Sequence, residues 1–208
     1  MDKVKENELY KNITSLYKDK ANWRESIPSV GQYLSADSVR IKAKALWIIG
    51  EMGLCNSTEI TPYIHTIASF LKSTEVLLRE RAANALGRIG RADFSLIKPY
   101  FSELLDLTED KESAVRLSFI WASENIATTT PHIYKDYMNM FAALLHDSDK
   151  RVRIEAPEIF RVIGKRLPQL ATPYLDLLTE LSENDTEPVV RIHALGAIKA
   201  TKKGDCQC

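Results

Sequence analysis

The stretch VLLRERAANALGRIG, residues 76–90, decides how this chain is read. Counting from Arg79, apolar or small residues fall at +3, +4, +6, +7 and +10 (Ala82, Ala83, Ala85, Leu86 and Ile89). Those offsets share one face of a 3.6-residue helix. The frame recurs along the chain. Arg40, Arg79, Arg116, Arg153 and Arg191 stand 39, 37, 37 and 38 residues apart, each behind an aliphatic residue (Val39, Leu78, Val115, Val152, Val190). A fixed period of this length outranks any local motif, because each unit then buries its apolar face only against its neighbours.

The inward positions are filled in every repeat. They read Phe119, Ile120, Ala122, Ser123 and Ile126 in the third, and Ala156, Pro157, Ile159, Phe160 and Ile163 in the fourth. The fifth begins Ala194, Leu195, Ala197, Ile198; the first has Ala43, Lys44, Leu46 and Trp47, then Gly50. A second amphipathic stretch precedes each of these helices. It opens at Pro62-Tyr63-Ile64, Pro99-Tyr100-Phe101 and Pro173-Tyr174-Leu175, with Pro131-His132-Ile133 as a looser form. Proline is tolerated in a first helical turn, where its missing N–H would be unpaired anyway. Each unit therefore reads helix, turn, helix. Gly90 and Gly164, and less regularly Gly53 and Gly204, are expected as left-handed C-caps. Pro157, one turn inside its helix, is expected to kink the rod. Glu75, Glu112, Asp149 and Glu187 lie four residues ahead of their Arg, which predicts i,i+4 pairs or a ladder between units.

Composition narrows the function. The 208 residues carry 28 basic and 28 acidic side chains, so net charge is zero, unlike a protein whose main task is wrapping nucleic acid. No apolar run reaches the ~18 residues of a membrane span. The N-terminus MDKVKENELYKN is too polar for a secretory leader, and three cysteines (Cys55, Cys206, Cys208) are too few for a disulfide framework. A reducing cytoplasm is the expected compartment.

With these residues in hand, a family becomes recognisable. VLLRERAANALGRIG resembles the HEAT-like repeat of the phycobilisome-lyase subtype. LLHDSDKRVRIEAPEIFRVIG, residues 144–164, resembles the general HEAT pattern of turn acids followed by Val-Arg. The resemblance covers roughly residues 22–204. It implies an all-α, right-handed superhelical HEAT-like solenoid of the armadillo-like class, with about five repeats in a single domain over 1–208. Residues 3–19, periodic through Val4, Leu9, Ile13, Leu16 and Tyr17, are expected as an N-terminal capping helix, and 205–208 as a tail. HEAT proteins are mostly interaction scaffolds, so the resemblance implies a non-catalytic protein–protein adaptor without a cofactor.

The helix positions facing away from the core are the candidate surface. The +1 row reads Ile41, Glu80, Leu117, Ile154 and Ile192, and Trp121 at +5 extends it. Four apolar residues in a row that should be solvated fit a docking strip for a partner, or burial under an adjacent helix. The partner-binding expectation takes Ile41, Leu117, Trp121, Ile154 and Ile192 as anchors, with Arg81, Arg88 and Arg161 as a polar rim. Arg88, Arg91, Lys165 and Arg166 suggest electropositive patches around repeats two and four.

Enzyme readings find little support. The four His are dispersed and none precedes Glu, so the His-Glu metal ligands of HEAT-repeat iron hydroxylases are missing. H-E-x-x-H, G-x-S-x-G and P-loop spacings are absent as well. Nucleic-acid binding is the alternative, on the pattern of HEAT-like DNA alkylation-repair glycosylases with Trp, Asp and Arg in a basic groove. Trp23, Trp47 and Trp121 are available for it, although Trp47 stands at an inward position. Cys206-Gln207-Cys208 offers a modifiable or metal-binding tail, but two thiolates do not complete a zinc site.

Overall fold

The computed structural model describes residues 2–205, so the terminal Cys206 and Cys208 lie outside the described residues. Among the described residues there is no strand. The first helices are α1 (Lys3–Lys18), α2 (Trp23–Gln32), α3 (Val39–Gly53), α4 (Ser57–Ile60), α5 (Ile64–Ser69), α6 (Val76–Ala92), α7 (Phe94–Ile97) and α8 (Phe101–Leu105). They are followed by α9 (Ser113–Ala127), α10 (Met138–Leu144), α11 (Lys150–Gly164), α12 (Pro168–Ala171), α13 (Leu175–Asn184) and α14 (Pro188–Asp205). None is long and apolar enough to cross a membrane.

The chain divides into two compact units, one ending at Leu107 and the other beginning at Thr108. In the first, α3 packs on α6, and α1 and α2 both pack on α3. In the second, α11 packs on α9 and on α14, and α13 lies against α14. The helices that carry the Arg frame, α3, α6, α9, α11 and α14, thus hold each unit together. Their inward positions are buried throughout repeats two to four. Burying such Ile, Leu and Phe side chains stabilises by about 1.5–3 kcal/mol each. The ends of the array depart from the pattern. Trp47 is only half-buried, and Leu195 is 43% exposed. Helix α1 buries Ile13 completely, but its Val4 is 74% exposed.

The first helix of three hairpins differs from the sequence expectation, while Pro131 does open its own, as the 3₁₀ stretch Pro131–Tyr137 ahead of α10. In those three, proline does not open the helix but interrupts it. Short helices α4, α7 and α12 come first, then the 3₁₀ turns Thr61–Tyr63, Lys98–Tyr100 and Thr172–Tyr174 that contain Pro62, Pro99 and Pro173. A proline ring clashes with the carbonyl four residues back, so the chain tightens there before resuming as a helix. Pro157, by contrast, does not break α11, which runs on to Gly164 while packed on both neighbours.

The glycines are also corrected. No described glycine has positive φ, so none forms a left-handed cap. They permit close approach instead. A Cβ on Gly50 would lie 2.7 Å from Ala85 Cα, and one on Gly204 would lie 2.7 Å from the Gly164 carbonyl oxygen. Gly50→Val is therefore expected to destabilise by about 2 kcal/mol in urea unfolding, because α3 and α6 must separate. Gly196→Ala, whose Cβ would meet only Arg161 Cδ at 3.6 Å, serves as the comparison and should be neutral or slightly stabilising. Equal losses in both would mean that helix entropy, not contact, governs these positions.

The Arg frame has a structural purpose different from the i,i+4 pairing expected of it. In four repeats the Arg Nη1 donates to the carbonyl six residues back: Arg79 to Ser73 (2.8 Å), Arg116 to Asp110 (2.7 Å), Arg153 to Asp147 (2.8 Å) and Arg191 to Asp185 (2.6 Å). The side chain of that same turn residue accepts the N–H two residues on, in Glu75 (3.1 Å), Glu112 (2.9 Å), Asp149 (2.8 Å) and Glu187 (2.8 Å). Arg and turn residue together close the loop between the two helices of each hairpin. Within the second unit the Arg also reaches forward. Arg116 grips Asp147 through Nε and Nη2 at 2.6 and 2.7 Å, and Arg153 Nε lies 3.7 Å from Asp185. A ladder exists, but its acids are the turn aspartates. In the first repeat α1 supplies the partners instead, Glu6 and Asn7 to Arg40.

Candidate functional site

The residues expected to bind a partner separate into three groups. Ile41 is fully buried and is no anchor, in a helix that α1 and α2 both cover. Leu117 and Ile154 are half-buried, whereas Trp121 (39%) and Ile192 (64%) are exposed. Of the three rim arginines, Arg88 pairs with Glu51 at 2.7 Å and Arg161 pairs with Glu158. Arg81 meets no carboxylate among the described residues and lines a cleft.

That cleft lies in the first unit, has a volume of about 360 Å³, and is walled by Tyr10, Arg40, Ala43, Lys44, Trp47, Leu77 and Arg81. The inward frame explains its chemistry. Position +4 holds Lys44 where other repeats hold apolar residues, and Trp47 follows one turn later. Lys44 Nζ stands 4.2 Å from the Trp47 ring centroid and 5.4 Å from that of Tyr10. Tyr17 packs against Trp47 at 4.6 Å, and the Arg40 guanidinium lies 4.2 Å from the Tyr10 centroid. Burial, and then the charge of Arg81, lower the Lys44 pKa. The aromatic faces offset part of that cost, since a cation over a ring gains roughly 0.5–2 kcal/mol. The result is a half-enclosed cationic site with apolar walls.

The second unit presents the opposite charge. Glu124 on α9, Glu155 and Glu158 on α11 and His193 on α14 gather around Arg161, with His193 Nδ1 3.5 Å from Glu158. The expected basic patch in repeat four is thus neutralised at Arg161. Glu124 Oε1 is sealed from solvent and accepts no hydrogen bond among the described residues. Burial, with Glu155 and Glu158 nearby and Arg161 opposing, pushes its pKa up to about 8. No described group of three or more His, Cys, Asp or Glu is placed to hold a metal ion.

Sequence reasoning passed over Tyr10, Lys44, Trp47 and Leu77 as surface residues. The signal was present at Lys44, a charge at a position reserved for the core. The acidic cluster was harder to see, because its members come from three helices more than thirty residues apart.

With this geometry established, comparison with known proteins gives consistent results. A family model described as sister chromatid cohesion protein PDS5 matches residues 8–200. No curated protein matches the chain. Among solved structures, an engineered protein aligns at TM-score 0.68 and 17% identity, covering 93% of this chain and 88% of that one. A designed armadillo repeat protein in complex with peptide (KR)4 aligns at TM-score 0.65 and 17% identity, over 92% of this chain and 90% of that one. Computationally designed armadillo repeat proteins for modular peptide recognition align at TM-score 0.63 and 17% identity, over 96% and 94%. These likenesses show the fold, an all-α solenoid of the HEAT and armadillo kind. The phycobilisome-lyase subtype does not figure among them.

Proposed function

Because the chain belongs to the sister chromatid cohesion protein PDS5 family of HEAT-like repeats, we propose that it is a non-catalytic scaffold binding a partner protein along its second-helix face. One observation carries the reading. Among the described residues, the large hydrophobic side chains that stand exposed are Leu77, Trp121, Val189, Ile192 and Leu195, all on second helices, and Val4, which is not. Exposed apolar residues concentrated on one kind of helix mark a surface kept for an interaction. Trp is also the residue type most enriched among binding hot spots. The designed armadillo relative that holds a (KR)4 peptide supports the capacity of this architecture for extended chains.

A photo-crosslinking residue placed at Trp121, at Ile192, or at exposed His65 on a first helix tests the face directly. Adducts to a protein at 121 and 192, absent at 65 and insensitive to nuclease, are expected. Equal labelling at all three positions would remove the second-helix assignment. Adducts that vanish on nuclease treatment would favour the nucleic-acid alternative.

A further inference from the structure

We infer that the cleft of the first unit binds an acidic peptide segment of a partner protein, seating a carboxylate between Lys44 and Arg81 and an adjacent apolar side chain against Leu77. The inference rests on the scaffold reading and names the chemistry of one of its contacts. Its foundation is charge that the protein itself leaves uncompensated. Neither Lys44 nor Arg81 has a carboxylate within ion-pair distance among the described residues, and each raises the electrostatic cost of the other. The neighbouring cation, Arg40, is already engaged by Glu6 and Asn7, so it forms the rim. Two unneutralised cations in a half-enclosed space strengthen any anion that enters, because the effective dielectric is lower than in water. Arg81 supplies a planar fork for a carboxylate, and Lys44 a point charge.

The walls favour a peptide over a nucleic-acid backbone. Leu77 is 36% exposed at the edge, and Tyr10 and Trp47 present rings already occupied by cations. That leaves room for an aliphatic side chain more readily than for a run of stacked bases. Nucleic acid would also need a longer basic track. Arg88, the next basic residue of α6 after Arg81, is neutralised by Glu51, and the chain as a whole has no excess charge. A volume of about 360 Å³ suits one or two side chains of an extended segment.

Fluorescence anisotropy of the full chain with a labelled octapeptide of alternating Asp and Leu is the test. Comparison probes are the same peptide with Asn for Asp, a Lys-Leu peptide, and a single-stranded oligonucleotide. The Asp-Leu peptide is expected to bind best, with affinity falling as salt rises. Arg81→Glu should weaken it roughly tenfold or more, and Lys44→Met similarly, as expected when a desolvated charge contact is lost. Arg24→Glu, a reversal at an exposed arginine outside the cleft, should leave affinity unchanged, and circular dichroism should show all three variants folded. Equal binding of the Asn peptide, no binding of the acidic peptide at millimolar concentration, or insensitivity to Arg81→Glu would overturn the inference. So would an oligonucleotide that binds in its place. The crosslinking positions 121 and 192 belong to the other unit, so the scaffold reading and this one fail independently.

Discussion

Asp147→Ala is expected to lower unfolding stability by about 3 kcal/mol at neutral pH, the lower end of what breaking a buried ion pair costs. Three interactions end at this one residue. Its carboxylate receives Arg116 at 2.6 and 2.7 Å and the Asp149 amide at 2.8 Å. Its carbonyl receives Arg153, a bond that the substitution leaves in place. The mutation therefore takes from Arg116, whose side chain is 14% exposed, its paired carboxylate and leaves only the charges of Asp149 and Asp110 nearby. Asp185→Ala removes a looser contact at 3.7 Å together with one turn bond, and should cost roughly 1 kcal/mol.

The pH dependence separates charge from packing. Burial raises the Asp147 pKa, but the hydrogen bonds from Arg116 and the Asp149 amide outweigh it and hold it below the ordinary value. A depressed acid contributes stability that is present above its unfolded pKa and lost as pH falls through the folded one. The gap between wild type and Asp147→Ala should therefore shrink in acid. A gap that stays constant down to acid pH would show that the ion pair contributes little.

Glu124→Gln should act in the opposite direction and stabilise the protein at alkaline pH. Its folded pKa of about 8 stands above the ordinary 4.5, so the folded state keeps a proton that the unfolded chain releases. The associated stability is present below the unfolded value and is lost as pH rises through the folded one. That span corresponds to at most about 5 kcal/mol, and relaxation and water entry reduce the expected gain at pH 9 to about 2–3 kcal/mol. Near pH 4 the two proteins should unfold alike. Urea titrations across this range measure it, and parallel curves from pH 5 to 9 would sink the claim.

Much of the fold could be read in the chain, and the reasons are specific. The Ala82, Ala83, Ala85, Leu86, Ile89 frame predicts a buried stripe, and all five are buried. The same logic misled at Trp47, because a half-helical period marks a face without saying what covers it. Ile41 illustrates the converse. Its row fits either a docking strip or burial under an adjacent helix, and packing divides it: Ile41 is fully buried while Ile192 at the same offset is 64% exposed. Offsets repeat, but neighbours do not.

The repeat, the helical hairpins and the inward positions are legible in the chain, because they follow from the 3.6-residue period and a pitch near 38 residues. Which charges are neutralised depends on how the helices pack. The acids ahead of Arg79, Arg116, Arg153 and Arg191 predict i,i+4 pairs or a ladder between units, whereas the packed hairpins turn these Arg onto carbonyls of their own turns. Lys44 looks like a flaw in a core and instead stands with Arg81 in an open cleft. The physical reason is distance. Coulomb energy depends on separations of a few ångströms and on local burial, and residues forty positions apart acquire both only when the helices pack.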